Sequence, residues 1–470
     1  MSGEWWDVAV IGGGPAGYTA AIRLAQKKWK VLLVEKDQVG GTCLNRGCIP
    51  SKALIHLARV KRKAETATPM GLSFAKGLVN WEMVQNWVQQ VIGSLRSGLE
   101  TILRNSGVVV ERGIGDIIDE GRIQVEDGGG KRREVKCRAI LLATGSVPAK
   151  PSFAPEGLVL TDEEGLFLPR LPSSLIVIGG GSTGVELAWL YASLGVSVTL
   201  LEMMPRLLPA ADAEISDLLD RSFRRQGIKV LLSSRVTQVL PTHNGIEVRT
   251  ESGETVTGSV VIGAVGRKPN PPQNAVSRLS LQEVSDLAPS RCYQWGQCLV
   301  VAAGDLLYGS GTAHGAIAEG VETARMLDQW LRFGQFPPYA APAPVPYCAF
   351  CHPEVAGVGI TEEAAYKQGR AITVGRFLIR ASGPARIEGE GDGLIKVLAD
   401  SKTGKILGIH MVGPYVTHLA GEASVLVSQG LTVEEGLKAV RIHPSWSEGI
   451  GEALWAALGE PLHSLHLGRR

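Results

Sequence analysis

Gly40-Gly41-Thr42-Cys43-Leu44-Asn45-Arg46-Gly47-Cys48-Ile49-Pro50-Ser51-Lys52 sets two cysteines five positions apart, among three glycines and ahead of a proline. In a regular helix five residues climb about 7.5 Å, beyond the Cα separation of about 7 Å past which a disulfide cannot close. A helix start here must be distorted if the two sulfurs bond, and Gly47 offers the freedom for it. Pro50 suits a first turn, where its missing N–H needs no partner, so a helix is expected to run on from Ser51. Its partial positive N-terminus would favour a thiolate at Cys48, the form that attacks and transfers electrons. Two buried cysteines without chemistry are the alternative at this point.

Upstream, the apolar run from Trp5 to Ile11 meets Gly12-Gly13-Gly14-Pro15-Ala16-Gly17. An apolar-periodic segment then reaches about Lys28, and a strand from Val31 to Val34 ends at Glu35. Strand, glycine turn, helix, strand and acid follow in the order of the dinucleotide-binding fingerprint. Gly12 makes the tight turn, Gly14 lets a pyrophosphate approach, Gly17 lets the helix pack on the sheet, and the helix N-terminus receives the negative charge. Glu35 can then accept hydrogen bonds from a ribose. Downstream the pattern returns: Leu175 to Ile178, Gly179-Gly180-Gly181-Ser182-Thr183-Gly184, a helix from Val185 to Leu194, and Val198 to Leu201 ending at Glu202. The interval from last glycine to acid is 18 residues both times. Two nucleotide domains are expected, and a carboxylate at Glu202 argues for NAD over NADP, whose 2′-phosphate it would repel.

Between the fingerprints, Val84, Val88, Ile92, Leu95, Leu99 and Ile102 fall on one face of a helix from Trp81 to Arg104, read as core packing rather than a partner surface. Alternation from Ile117 to Val125 and from Glu134 to Leu142, joined through Asp127-Gly128-Gly129, reads as antiparallel ribbon. Three prolines between Val147 and Pro155 mark a linker. The 470 residues are 44% hydrophobic and 20% charged, with a formal net charge of +2. That is a soluble globular composition of three or four domains. Lys131-Arg132-Arg133 beside three glycines is a solvated turn, not a nucleic-acid patch. No apolar run is long enough to span a bilayer, and Met1-Ser2-Gly3-Glu4 lacks the positive region of a signal peptide. Seven scattered cysteines suit a reducing compartment, so a cytoplasmic protein without nucleic-acid or membrane partners is expected.

With both fingerprints placed, Gly40 to Lys52 resembles the dithiol segment of the flavin-dependent pyridine nucleotide-disulfide oxidoreductases, most of all their dihydrolipoamide dehydrogenase branch. The resemblance runs through the whole chain. It implies an α/β fold of two Rossmann-like dinucleotide-binding domains, for FAD and NAD, plus a C-terminal α+β dimerisation domain. The division would be 1–150 for FAD, 151–270 for NAD, a central domain 271–345 returning to the flavin, and an interface domain 346–470. It makes Cys43 and Cys48 a redox disulfide, Cys43 exchanging with substrate and Cys48 facing the flavin. FAD would meet Gly12, Gly14, Pro15, Ala16, Gly17, Glu35 and Lys36, then Gly41, Thr42, Cys43 and Lys52. Further along it would meet Gly115, the turn Thr144-Gly145-Ser146, Asp305 of Ala303-Gly304-Asp305, and Ala313-His314. NAD would meet Gly179, Gly180, Gly181, Gly184, Glu186, Glu202, Val236 and Gly266, with Glu186 also paired to Lys52.

Ile442-His443-Pro444-Ser445-Trp446-Ser447-Glu448 is similar to the family's His–Glu dyad. There the glutamate orients the imidazole, which takes a thiol proton as general base; the resemblance gives these roles to Glu448 and His443. Leu394 to Leu398 and Ile406 to His410 read as a strand pair under a helix from Leu419 to Gln429. Two places depart from the family pattern: Arg441-Ile442, where the branch usually has His-Ala, and the unusual segment 286–312. Cys348-Ala349-Phe350-Cys351-His352 has the spacing of a haem site. Pro353 to Gly359 resembles the first interface strand instead, so these are read as buried cysteines and no metal is expected.

The activity implied is oxidation of protein-bound dihydrolipoyl groups through the disulfide and FAD, with reduction of NAD. The enzyme would be a homodimer serving a 2-oxoacid dehydrogenase complex or glycine cleavage, its partners lipoyl domains and an acyltransferase core. Glutathione reductase is disfavoured by Glu202 and Ser51, and mercuric reductase by the lack of a cysteine pair in Leu465 to Arg470. A flavin-bound interaction protein without turnover is the alternative from another class.

Overall fold

The computed structural model describes residues 5–74, 79–281, 286, 292–307, 311–335 and 343–463. The expectations for Met1 to Glu4 and for Leu465 to Arg470, and part of those for 286–312, lie outside the described residues. The chain divides into two compact units, each assembled from three stretches.

The first unit takes Met1–Ala53, Glu82–Ala149 and Arg267–Pro342. Its elements are β1 (Trp5–Ile11), α1 (Pro15–Gln26), β2 (Val31–Glu35), α2 (Gly41–Asn45), the start of α3 (Cys48–Glu65), α4 (Trp81–Asn105), β3 (Val109–Arg112), β4 (Ile114–Asp119), β5 (Arg122–Glu126) and β6 (Arg132–Leu142). The sheet runs Cys292–Trp295, Cys298–Ala302, β6, β1, β2, β3, with β4 and β5 hung on β6. β1 is parallel to both β2 and β6. Side chains alternate across a strand. Val8 and Val10 therefore enter one core with Leu24 of α1, Leu33 and Leu141, while Ala9 and Ile11 enter the opposite one with Leu32, Ile117 and Ile140. Burial on both faces is why these strands read as continuous apolar runs. The expected ribbon is a three-stranded meander, whose second turn is held by Asp127 accepting the N–H of Gly129 and Lys131.

α4 corrects one expectation. Val84, Val88 and Ile92 are buried, but Leu95 and Ile102 are 47% and 53% exposed, and Leu103 is buried in their place. At 3.6 residues per turn Leu103 lies within about 20° of Ile92 around the helix, whereas Leu95 and Ile102 lie about 60° and 80° away. The buried line therefore passes from Ile92 to Leu103.

The second unit takes Leu54–Trp81, Lys150–Gly266 and Ala343–Arg470. β7 (Ser174–Ile178), α5 (Ser182–Ser193) and β8 (Ser197–Leu201) belong to a parallel sheet ordered Lys229–Leu231, β8, β7, Val260–Gly263, Leu160–Thr161, followed in sequence by α6 (Ala213–Arg225). A C-terminal antiparallel sheet runs Tyr347–Ala349, Glu354–Gly359, Ile406–Gly413, Leu394–Asp400, Ile372–Leu378. α7 (Val416–Ser428) and α8 (Glu448–Ala457) share its core, with Leu419 and Ile450 among Ile395, Val397 and Met411. α8 lies so close that a Cβ at Gly375 would sit 1.9 Å from the carbonyl oxygen of Ala453. The mixed α/β fold, with two parallel sheets and a separate C-terminal layer, is the class expected from sequence.

Inside this unit a charge cluster ties α6 to the C-terminal sheet. Lys396 is 1% exposed, and its Nζ lies 2.7 Å from Asp212, 2.6 Å from Glu362 and 3.2 Å from Glu214, while Arg376 reaches Glu214 and Glu362 at 2.8 and 2.9 Å.

Candidate active site

The dithiol segment folds as two helices. α2 carries Cys43; the chain leaves helical geometry at Arg46 (φ −140°), and α3 begins at Cys48 itself, three residues earlier than expected, with Pro50 in its first turn. The side-chain amide of Asn45 donates to the carbonyls of Gln38, Val39 and Gly41 at 3.0–3.3 Å, fixing the approach. Both thiols are half-buried and hydrogen-bonded to each other. That bond, then burial and the charge of Cys48, push the Cys43 thiol far above its usual range, against the opposing pull of the Lys52 ammonium. Cys48 is the first residue of an 18-residue helix, where the helix dipole favours a thiolate.

The two glycine loops close in the same way. Gly12 and Gly179 have φ of +106° and +110°. A Cβ at Gly17 would sit 1.9 Å from the Gly12 oxygen, and one at Gly184 1.8 Å from the Gly179 oxygen, so each loop closes against its helix only with glycine there. Glu35 accepts the N–H of Gly13 at 2.7 Å and of Asp37 at 2.9 Å; Glu202 accepts those of Gly180 at 2.5 Å and Met204 at 2.7 Å. Each acid therefore braces its own loop before any ribose arrives, and keeps lone pairs for one.

Around the first loop the expected FAD residues come together. A Cβ at Gly12 would meet the Ala143 oxygen at 2.3 Å, one at Gly41 would meet Gly14 Cα at 2.7 Å, and one at Gly304 would meet Ala16 Cβ at 3.1 Å. Ser146 donates to Asp305 at 3.0 Å. Thr312 caps the helix Ala313–Phe333, accepting the Gly315 N–H at 3.3 Å, so Ala313 and His314 open that helix. Gly115 packs on Ile11 and Val34 at the ends of β1 and β2. Thr144 Oγ1 is buried without a hydrogen-bond partner among the described residues. A glycine-lined helix N-terminus beside an orphaned hydroxyl fits the diphosphate of a dinucleotide.

In the second unit, Val236 is buried at a strand start and Gly266 has φ of +100°. Glu186 is 6% exposed, and its carboxylate accepts the Phe350 N–H at 2.9 Å. Cys351 is fully buried and Cys348 half-buried; His352 bonds Glu390 at 3.1 Å. His443 Nδ1 lies 2.7 Å from Glu448 Oε1, and the other carboxylate oxygen accepts the Ser445 N–H at 2.7 Å. Burial pushes Glu448 up, but that N–H and His443 outweigh it and hold the carboxyl below its usual range. With Nδ1–H donated to Glu448, Nε2 of an 80%-exposed imidazole is the free acceptor. Lys52 and Cys43 belong to the first unit, Glu186 and His443 to the second.

The family model described as pyridine nucleotide-disulphide oxidoreductase matches residues 6–320, and the dimerisation domain of the same family matches 345–454. The chain belongs to this family. A dihydrolipoyl dehydrogenase of Bacillus subtilis is 35% identical over 97% of this chain and 99% of its own, and one of Chlorobaculum tepidum 35% identical over 96% and 97%. The crystal structure of LpdA from Mycobacterium tuberculosis is similar at a TM-score of 0.86, with 26% identity over 95% of this chain and 99% of that one. The HOCl-induced flavoprotein disulfide reductase RclA from Escherichia coli matches at 0.81, with 25% identity over 96% and 99%. The family makes the chain an oxidoreductase with a dimerisation domain; its dihydrolipoyl dehydrogenases use FAD and NAD. Among the described residues no helix is long and apolar enough to cross a membrane.

Some residues of the site gave no sequence signal. Asn45 and Ser445 act through backbone groups of neighbouring turns. Arg441, a departure from the family pattern, pairs with Glu422 of α7 at 2.7 Å and donates to the Gly436 and Ala439 carbonyls, bracing the approach to His443. A second imidazole, His463, lies 2.8 Å from Glu452 on α8. Its only sequence trace is a glutamate four positions after Glu448.

Proposed function

We propose that the chain is a dihydrolipoyl dehydrogenase: a homodimer that oxidises protein-bound dihydrolipoyl groups through a Cys43–Cys48 disulfide, with FAD at the Gly12–Gly17 loop and NAD at Gly179–Gly184. The observation that carries this reading is the near-complete, colinear similarity to relatives of that name. When bound, FAD relays the electron pair from the dithiol to NAD. The chain's own residues do the rest. A substrate thiol gives its proton to His443 Nε2, while Glu448 holds Nδ1–H and stabilises the imidazolium. The resulting thiolate attacks Cys43 Sγ, and Cys48 leaves as the thiolate that the α3 N-terminus favours. The second substrate thiol then attacks the substrate sulfur of that mixed disulfide, closing the substrate's own disulfide and expelling Cys43, which takes up the proton this thiol gives up. Lys52 offsets the charge gathered at the dithiol, and Glu202 turns away a 2′-phosphate.

This reading keeps the four-part division at 150, 270 and 345, puts the partner subunit's copy of residue 443 over each dithiol, and places the enzyme in the cytoplasm, serving a 2-oxoacid dehydrogenase complex or glycine cleavage. The test is NADH formation from dihydrolipoamide by the purified holoenzyme. His443→Gln should lose about 10²–10⁴-fold, while NADH oxidation by an artificial acceptor, which needs no thiol base, persists. NADP in place of NAD should cost at least about tenfold in kcat/KM. No NADH from dihydrolipoamide, with glutathione disulfide or Hg²⁺ reduced instead, would move the chain to another branch of the family.

A further inference from the structure

α8 carries two carboxylates one turn apart. Glu448 and Glu452 stand at i and i+4, a spacing that puts side chains on one face of a helix, and each closes the same figure. One oxygen meets the Nδ1 of a histidine, His443 at 2.7 Å and His463 at 2.8 Å; the other accepts a backbone N–H, from Ser445 at 2.7 Å and from His463 itself at 3.0 Å. The carboxylates are sunk, 29% and 10% exposed, while the imidazoles stand out at 80% and 76%. An inward acid presenting an outward imidazole is how the base of the proposed reaction is held. The helix builds that arrangement twice, and one base is enough for the chemistry.

We propose that His463, with Glu452, is a positioning pair for the base: its imidazolium stands in the field of Glu448 and offsets part of the negative charge that would otherwise keep a proton on His443. This rests on His443 acting as the base. Glu452, and after burial is set against it also Glu448, push the His463 imidazole up, so it holds its proton to higher pH than an isolated histidine. His463 is in turn among the charges that hold Glu448 down, behind the Ser445 N–H and His443, which oppose its burial.

Other charges near α8 are already committed. Arg441, against Gly451 of this helix, is paired with Glu422. On the strands beneath, Phe377, Ile395 and Val397 share the α8 core, while Arg376 and Lys396 belong to the cluster with Asp212, Glu214 and Glu362. On the neighbouring helix Val433–Leu437, Glu435 caps Thr432 and Glu434 is exposed.

The measurement is the acid limb of the pH profile of kcat/KM for dihydrolipoamide, which reports the base in the free enzyme. His463→Gln leaves two carboxylates beneath one imidazole and should move the limb upward by roughly 0.3–0.6 pH unit, the effect of one partly screened charge beyond the neighbouring carboxylate. Glu452→Gln removes the anion instead and should move it downward. Both shifts should shrink in 0.5 M salt, about a 4 Å screening length; a loosened helix would show neither the opposed signs nor the salt dependence. Titration of His443 by NMR in ¹⁵N-histidine-labelled dimer, assigned through His443→Gln, should show the same opposed shifts without turnover. If the wild type fails to oxidise dihydrolipoamide, the proposed substrate falls while this titration still decides the role of His463. An unmoved His443 in His463→Gln, or shifts of the same sign in both variants, overturns the proposal.

Discussion

Cys43 and Cys48 share one hydrogen bond, and their surroundings divide the labour between them. Cys43 is pushed up by its bond to Cys48 and by burial, while Cys48 opens α3, where a helix N-terminus favours a thiolate. After two-electron reduction the yellow holoenzyme should therefore show a long-wavelength band from the Cys48 thiolate to the flavin. Cys48→Ser should abolish that band and Cys43→Ser should keep one, as read by absorbance during anaerobic titration. The reverse would exchange the roles of the two cysteines. At this scale the sequence was informative where chemistry rides on residue type at fixed spacing: the two acids, each 18 residues past its last glycine, stand where the fingerprint puts them. That Glu35 and Glu202 each hold two backbone N–H groups of their own loops was not legible, because it depends on how the loop folds back. His463 was hidden for a similar reason. No local period links it to Glu452, eleven residues earlier; only the turn after α8 brings them together.

Among elements, the cluster at the foot of α6 has most at stake. Asp212 caps that helix and also takes the Lys396 ammonium, so a single buried carboxylate fixes a helix start and its neighbour sheet. Removing one partner of a buried pair leaves an uncompensated charge, which costs about 3–5 kcal/mol. Lys396→Met should lower stability by about that amount at pH 7, measured by urea unfolding. The pH dependence has a definite sign. Burial alone would raise Asp212 and Glu362, but Lys396 outweighs it and both carboxyls lie below their usual range. Their contribution is then complete above the unfolded carboxylate range and is lost as pH falls through the lower, folded values. Without Lys396 the acid unfolding midpoint should move to higher pH; an unchanged midpoint would mean that Arg376 alone neutralises the cluster. The two cations stand 14 or more residues in sequence from the carboxylates they meet, and the cluster was not anticipated. Element type and order were legible from period and glycine punctuation, whereas α3 begins before its proline, not after it, and the buried line of α4 follows a step of eleven.

For the molecule as a whole, His443 and Cys43 fall in separate compact units, and the proposed site is completed across a two-fold axis. Mixing His443→Gln and Cys43→Ser subunits tests this. A hybrid dimer would hold one site with both lesions and one with neither, so random exchange should restore up to about a quarter of wild-type dihydrolipoamide oxidation. Exchange proven by mass spectrometry without returning activity would require the base to act within its own chain.

The interleaving of the two units also governs how the chain is made. β1 emerges from the ribosome almost at once, but Cys298–Ala302, which completes the parallel part of its sheet beside β6, comes nearly three hundred residues later. At translation rates of about 5–20 residues per second that is a wait of roughly 15–60 s. Once β6 itself has emerged, for about the second half of that wait, it offers the nascent chain an open, apolar edge. Neither glycine-loop unit can close in passing, as a contiguous domain would, and the intervening stretch must begin folding around an unfinished neighbour. The newborn polypeptide is thus most dependent on chaperones in mid-synthesis, and a truncation before residue 298 would leave the first loop without a finished sheet to stand on.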